Sequence, residues 1–167
     1  ATLWKKRPEI NIVLNKTAPH LNLIMKKAKN SNFKIKVIID ASNMAELMLN
    51  ADLAIGASGT TSWERCVLGL PTITICLAEN QRNIYNNLEK VGAHLVLKNE
   101  NKATSSLIEN KLNEILENPK SLDSVSSSAF KICDGNGIHW VNLKISPIIS
   151  NDSKEISLRD ATMADSK

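Results

Sequence analysis

The stretch Met44–Gln81, MAELMLNADLAIGASGTTSWERCVLGLPTITICLAENQ, decides the fold. Asp52–Gly56 (DLAIG) runs into Ser58 and Gly59 and then into a helical pattern over Ser62–Leu70. Trp63, Cys66, Val67 and Leu70 recur there on one helical face, and Gly69 followed by Pro71 closes the helix. Thr72–Leu77, TITICL, is rich in β-branched residues and predicts the next strand. On either side, Met44–Leu49 reads as a short helix ending near Asn50, and Asn80–Val91 as a helix stopped by Gly92. His94–Leu97 is a short final strand.

The same rhythm extends outward. Ile10–Leu14 (INIVL) predicts a strand, followed by a helix that opens near Pro19 and carries Leu21, Leu23, Ile24 and Ala28. Phe33–Ile39 is a further strand. Beyond Asn99, Leu107, Ile108, Leu112, Ile115 and Leu116 form a helical stripe. Ser121–Trp140 holds a Ser-rich stretch, then Gly135 and Gly137 before another short helix, and Ser146–Glu155 reads as a linker. Near-continuous apolar strands separated by helices require a parallel sheet with both faces covered. The expected fold is therefore α/β and Rossmann-like, with helices on both faces and its main domain at 1–145.

Composition narrows the function. With 167 residues, of which 43% are hydrophobic and 23% charged, the chain fits one globular domain and a tail. It begins at Ala1, so a piece of a longer protein is expected. The net charge is +4, but Lys residues lie scattered among acids, and even Lys5-Lys6-Arg7 and Lys26, Lys27 and Lys29 suit a solvated face. Two Phe and one Tyr give few stacking platforms, so no nucleic-acid partner is expected. Cys66, Cys76 and Cys133 are odd in number and widely spaced, which argues against disulfides and zinc and for a reducing cytoplasm. No apolar stretch approaches the roughly eighteen residues of a membrane span, and no signal peptide is legible.

Ligands of open parallel sheets bind where strand ends lead into helices. Gly56-Ala57-Ser58-Gly59-Thr60-Thr61 sits at such an end, with small residues that admit close approach and hydroxyls that donate. The loop suits a phosphate, although the same residues also suffice for a tight turn with a helix cap. Glu64, one turn on, is placed for a ribose diol or simply to complement the helix dipole. Asn80 and Gln81 follow the next strand and offer donors and acceptors to sugar hydroxyls, or an ordinary cap. Lys16 and Thr17, after the first strand, form a further candidate phosphate loop, with His20 nearby. Cys66 and Cys76 fall on apolar positions and suit packing, as does Trp63; His94 and His139 lack partners at metal-ligand spacing.

The ordered set of small loop, Trp63-Glu64, Gly69-Leu70-Pro71 and Asn80-Gln81 resembles the C-terminal half of glycosyltransferase-B-type enzymes. It is most similar to the UDP-2,4-diacetamido-2,4,6-trideoxy-β-L-altropyranose hydrolases of pseudaminic acid biosynthesis, a family of flagellin-modification and spore-coat polysaccharide proteins. The likeness extends more weakly from Ile10 through Cys133-Asp134-Gly135-Asn136-Gly137. The resemblance implies a UDP-sugar partner, with Ser58, Gly59, Thr60 and Thr61 on the diphosphate, Glu64 on the ribose, and Asn80 and Gln81 on the hexose. Lys16 and Thr17 would face the phosphates from the other side, although Asn15 and Lys16 replace a common glycine-bearing pattern. It further implies water attack at the anomeric carbon without metal or cofactor, using a catalytic His on an N-terminal domain that has no counterpart here. The fragment alone would thus carry no catalytic residue and be inactive. Transfer to an acceptor and noncatalytic nucleotide-sugar binding are the alternatives. Ile156–Asp165 in the tail, 146–167, resembles the first strand of a GNAT acetyltransferase, or is a charged chain end.

Overall fold

The computed structural model describes residues 8–97 and 105–152, with the backbone alone for 145–152. The described residues form five strands that alternate with helices, followed by three consecutive helices: β1 Glu9–Leu14, α1 Leu21–Lys29, β2 Lys34–Ile39, α2 Met44–Leu49, β3 Ala54–Ala57, α3 Thr61–Val67, β4 Thr72–Ile75, α4 Arg82–Lys90, β5 Leu95–Val96, α5 Ser105–Glu117, α6 Ser121–Ile132 and α7 Gly137–Asp152. A 3-10 turn at Glu79–Gln81 precedes α4. All strand pairs are parallel, so the expected α/β class is the one observed.

The strands form two ladders instead of one, β1-β2 and β3-β4-β5. Among the described residues no ladder joins β1 to β3. Strand β3 is four residues long and has Ile55 as its one large side chain, half of it exposed, which gives a neighbour little to pack on. In β1, Ile10, Ile12 and Leu14 turn to the half-covered face while Glu9, Asn11 and Val13 are exposed, and α1 packs on β2.

Strand β4 is central to its ladder and two-faced. Ile73 and Ile75 join Leu97, Leu112 and Ile115 in one core cluster, on the α5 side. Thr72 and Thr74 point the opposite way by the period of a strand. A second cluster, Cys66, Leu88, Ala93 and Ala129, links α3, α4 and α6. These two clusters put helices on both faces of the β3-β4-β5 ladder.

Helices α3 and α4 end in the same way. Gly69, at φ +60°, receives its place from Gly69 N–H donating to Cys66 O and Leu70 N–H to Arg65 O, a Schellman cap. Gly92 repeats it at φ +70°, with Ala93 N–H donating to Leu88 O.

Two readings of the C-terminal region change. The Ser-rich stretch is a helix, α6, because Val125 and Ala129 give it a buried i, i+4 stripe that anchors it to α3. The backbone of 146–152, read as linker, continues α7; residues 153–155 and the acetyltransferase-like segment 156–165 lie outside the described residues. Two compact units divide after Cys133.

The two caps separate backbone strain from crowding. A Cβ on Gly92 meets nothing nearer than Ser128 Oγ at 3.8 Å, so Gly92→Ala should cost only the left-handed backbone term of about 1 kcal/mol. A Cβ on Gly69 would collide with the Phe130 ring, so Gly69→Ala should cost about 1–3 kcal/mol more. Urea unfolding of both variants checks this; equal losses would mean that Phe130 yields freely.

Candidate functional site

The loop from β3 to α3 is tied down from two sides. Ser58 N–H donates to Ile75 O at 3.0 Å and Ser58 Oγ to the same oxygen at 3.4 Å, fastening the loop to the end of β4. The Ser58 side chain, whose hydroxyl was expected on a diphosphate, is fully buried, and in this structure that hydroxyl anchors the loop. Ser62 N–H donates to Gly59 O and Trp63 N–H to Thr60 O, which starts α3. The N–H groups of Gly59, Thr60 and Thr61 make no hydrogen bond among the described residues, and Thr60 makes no side-chain cap. Three successive unpaired amides, with two threonine hydroxyls beside them, form an anion-accepting edge.

Gln81 comes to this edge from the neighbouring loop. Its Oε1 accepts Leu77 N–H at 3.1 Å, which fixes the amide so that Nε2 is the free end. That nitrogen lies 4.0 Å from the point where a Cβ on Gly59 would stand, so the β3-α3 loop and the turn before α4 share one rim. Asn80 is exposed on that turn. Glu64 is exposed on α3, and Trp63, expected to pack, is 37% exposed.

Lys16 and Thr17 lie at the end of β1 and are held locally. Asn15 Oδ1 accepts both the N–H and the hydroxyl of Thr17 at 2.9 Å, and Lys16 N–H donates to Asp40 Oδ1 at 3.0 Å. Among the described residues no hydrogen bond or ion pair joins them to Gly59–Thr61. His20 is exposed, in a left-handed conformation at φ 68°.

Beneath the rim is a polar layer that periodicity did not foretell. The buried stripe of α3 is Ser62, Arg65 and Cys66, one residue round from the face that includes Trp63. Arg65 is 5% exposed; its Nη2 donates to Ala57 O at 2.6 Å and to Ser62 Oγ at 3.1 Å. The sequence did carry a signal, since Ser62, Cys66 and Gly69 mark a small-residue stripe containing position 65. His94, 4% exposed, shares a 2.7 Å hydrogen bond between its Nδ1 and Thr74 Oγ1, and its Nε2 lies 3.6 Å from Cys66 Sγ. Burial pushes the Cys66 thiol up to about 11, which leaves it a neutral packing group. Cys76 is only partly buried.

Residues 2–135 match the glycosyltransferase family 28 C-terminal domain. The chain belongs to that family. The family 28 domain is 42% identical over 59 residues to the Helicobacter pylori UDP-N-acetylglucosamine--N-acetylmuramyl-(pentapeptide) pyrophosphoryl-undecaprenol N-acetylglucosamine transferase, covering 34% of this chain and 17% of that protein. It is 37% identical over 84 residues to an uncharacterized protein of Methanocaldococcus jannaschii, covering 48% and 17%. Crystal structures share its fold: Acinetobacter baumannii MurG at a TM-score of 0.66 and 18% identity, over 86% of this chain and 51% of that one. The glycotransferase of kitacinnamycin follows at 0.55 and 11%, over 89% and 45%. The family 28 domain thus spans about half of each solved relative and 17% of each curated one. No described helix is long and apolar enough to cross a membrane.

The polar layer gives the domain an acid sensitivity. Burial, and after it the Arg65 charge, lowers His94 from 6.5 to about 4, so the fold holds it neutral while the unfolded chain protonates it near 6.5. Stability from this group is whole above about 6.5 and falls as pH drops to about 4, by a total of about 3 kcal/mol. Urea unfolding across that window should show His94→Gln losing this slope; parallel curves for wild type and variant would refute it.

Proposed function

We propose that this chain is the donor-holding half of a glycosyltransferase that uses a UDP-sugar. The observation that carries the reading is the run of unpaired Gly59, Thr60 and Thr61 amides beside Gln81, in a family 28 domain. A diphosphate takes those three N–H groups and the Thr60 and Thr61 hydroxyls. Ser58 contributes by holding the loop on Ile75. Glu64 accepts from the ribose diol, and its exposure on α3 is compatible with that. The Gln81 amide nitrogen and Asn80 bind the hexose, for which the Helicobacter transferase suggests an N-acetylated amino sugar. Lys16 adds a cation on the far side of the phosphates, with Thr17 shaping its loop.

Transfer to an acceptor is favoured over release to water because the Helicobacter pylori relative is a transferase. Hydrolysis of a UDP-amino sugar, in surface polysaccharide synthesis, is the second reading, motivated by the ordered set from Ser58 to Gln81. In either case the group that activates the attacking oxygen is supplied from outside the residues assigned here. A longer protein joining this domain to an N-terminal catalytic one fits both readings.

Titration calorimetry with UDP tests the site. Wild-type chain should bind, and Glu64→Ala should weaken binding on the order of tenfold, the loss of one hydrogen bond to a charged acceptor. No heat at millimolar UDP, or affinity indifferent to Glu64, would sink the assignment.

A further inference from the structure

Arg65 is a buried cation with no ion pair among the described residues; the exposed Glu64 carboxylate favours its charge only through space, and burial outweighs that. Its guanidinium meets two neutral acceptors, Ala57 O and Ser62 Oγ, while Nε is buried with no hydrogen-bond partner. No salt bridge reaches it among the described residues. Buried charges are costly unless paired, and satisfying Ala57 O and Ser62 Oγ needs a donor but not a charge. The position is specific: Nη1 lies against Gly56, so closely that a Cβ there would fall inside its van der Waals envelope. The guanidinium therefore underlies the strand end from which Ser58–Thr61 springs.

We propose that Arg65 is a positioning residue for the nucleotide's phosphates: it clamps Ala57 to Ser62 from below and puts a fixed positive charge under the loop, and the bound diphosphate is the ion partner that this charge lacks among the described residues. The assignment rests on the nucleotide-sugar reading above. Burial lowers the pKa of Arg65, the mark of a charge held at a cost, and an anion across the loop offsets that cost. The loop's own amides make the direct contacts; Arg65 acts through them. Gly56 is explained by the same arrangement, since only a residue without a side chain leaves the guanidinium its place.

The test compares UDP with uridine, which shares its base and ribose but carries no phosphate, by NMR titration of the labelled chain at the Gly59 amide. Arg65→Gln, which removes the charge and keeps an amide donor, should weaken UDP on the order of tenfold and leave uridine unchanged. Arg65→Lys should restore most of the UDP affinity, and thermal midpoints should not fall in step with affinity. If Arg65→Gln does not fold, Gly56→Ala, which displaces the guanidinium, is read in the same way. Equal weakening of both ligands, unchanged UDP affinity, or no recovery with Lys would overturn the role given to Arg65 alone. A wild-type chain that binds neither UDP nor uridine would overturn the nucleotide-sugar reading, and this role with it.

Discussion

The turn from β3 into α3 hangs on two carbonyl oxygens. Ala57 O takes the Arg65 Nη2 donor at 2.6 Å, and Ile75 O takes both donors of Ser58. Between these anchors the backbone from Gly59 to Thr61 is held without spending its own N–H groups. Free donors on a flexible loop would collapse onto nearby acceptors or lose entropy on meeting a ligand. Here the burial of Ser58, Ser62 and Arg65 fixes the loop before any ligand arrives.

That preorganisation depends in turn on β4. Its parallel pairing with β3 aligns Ala57 with Ile75, which sets the end of one strand beside the start of the next loop. Its apolar side, Ile73 and Ile75, closes on α5, and its threonine side closes on His94. Thr74, His94 and Cys66 form a neutral polar string within the second layer, where valine and leucine would pack with less risk. A locally inconsistent choice of this kind, polar where burial favours apolar, is what functional sites impose on a fold.

The βα alternation was legible because each strand run is bounded by loop residues and each helix by a periodic stripe. Gly69 and Gly92 announced the helix ends that their left-handed φ values carry out. The break between the two ladders was not legible, since nothing in Ala54-Ile55-Gly56-Ala57 states which strand flanks it. Helix α6 was hidden by five serines, whose helix propensity is modest and which tertiary burial of Val125 and Ala129 overrides. Within the site, Gly59 and Gln81 were foreseen as partners of one ligand and stand on one rim. Ser58 was foreseen as a donor, but sequence does not reveal that Ile75 O competes for its hydroxyl. Arg65 was passed over because a charged residue on a helix ordinarily faces water.

The division of labour between Glu64 and Arg65 shows how much one helical turn can separate. The two are adjacent in sequence, yet a 100° rotation along α3 sends the carboxylate to solvent and the guanidinium under the loop. They form no ion pair among the described residues, although the Glu64 charge favours the Arg65 guanidinium through space; a direct pair would take both charges away from a ligand. Seven residues make too short a helix for its dipole to do that work by itself. In the role proposed for it, the buried side chain takes the place of a longer helix. The small residues Gly56, Ser58 and Ser62 follow as the spaces that a guanidinium and two backbone anchors need.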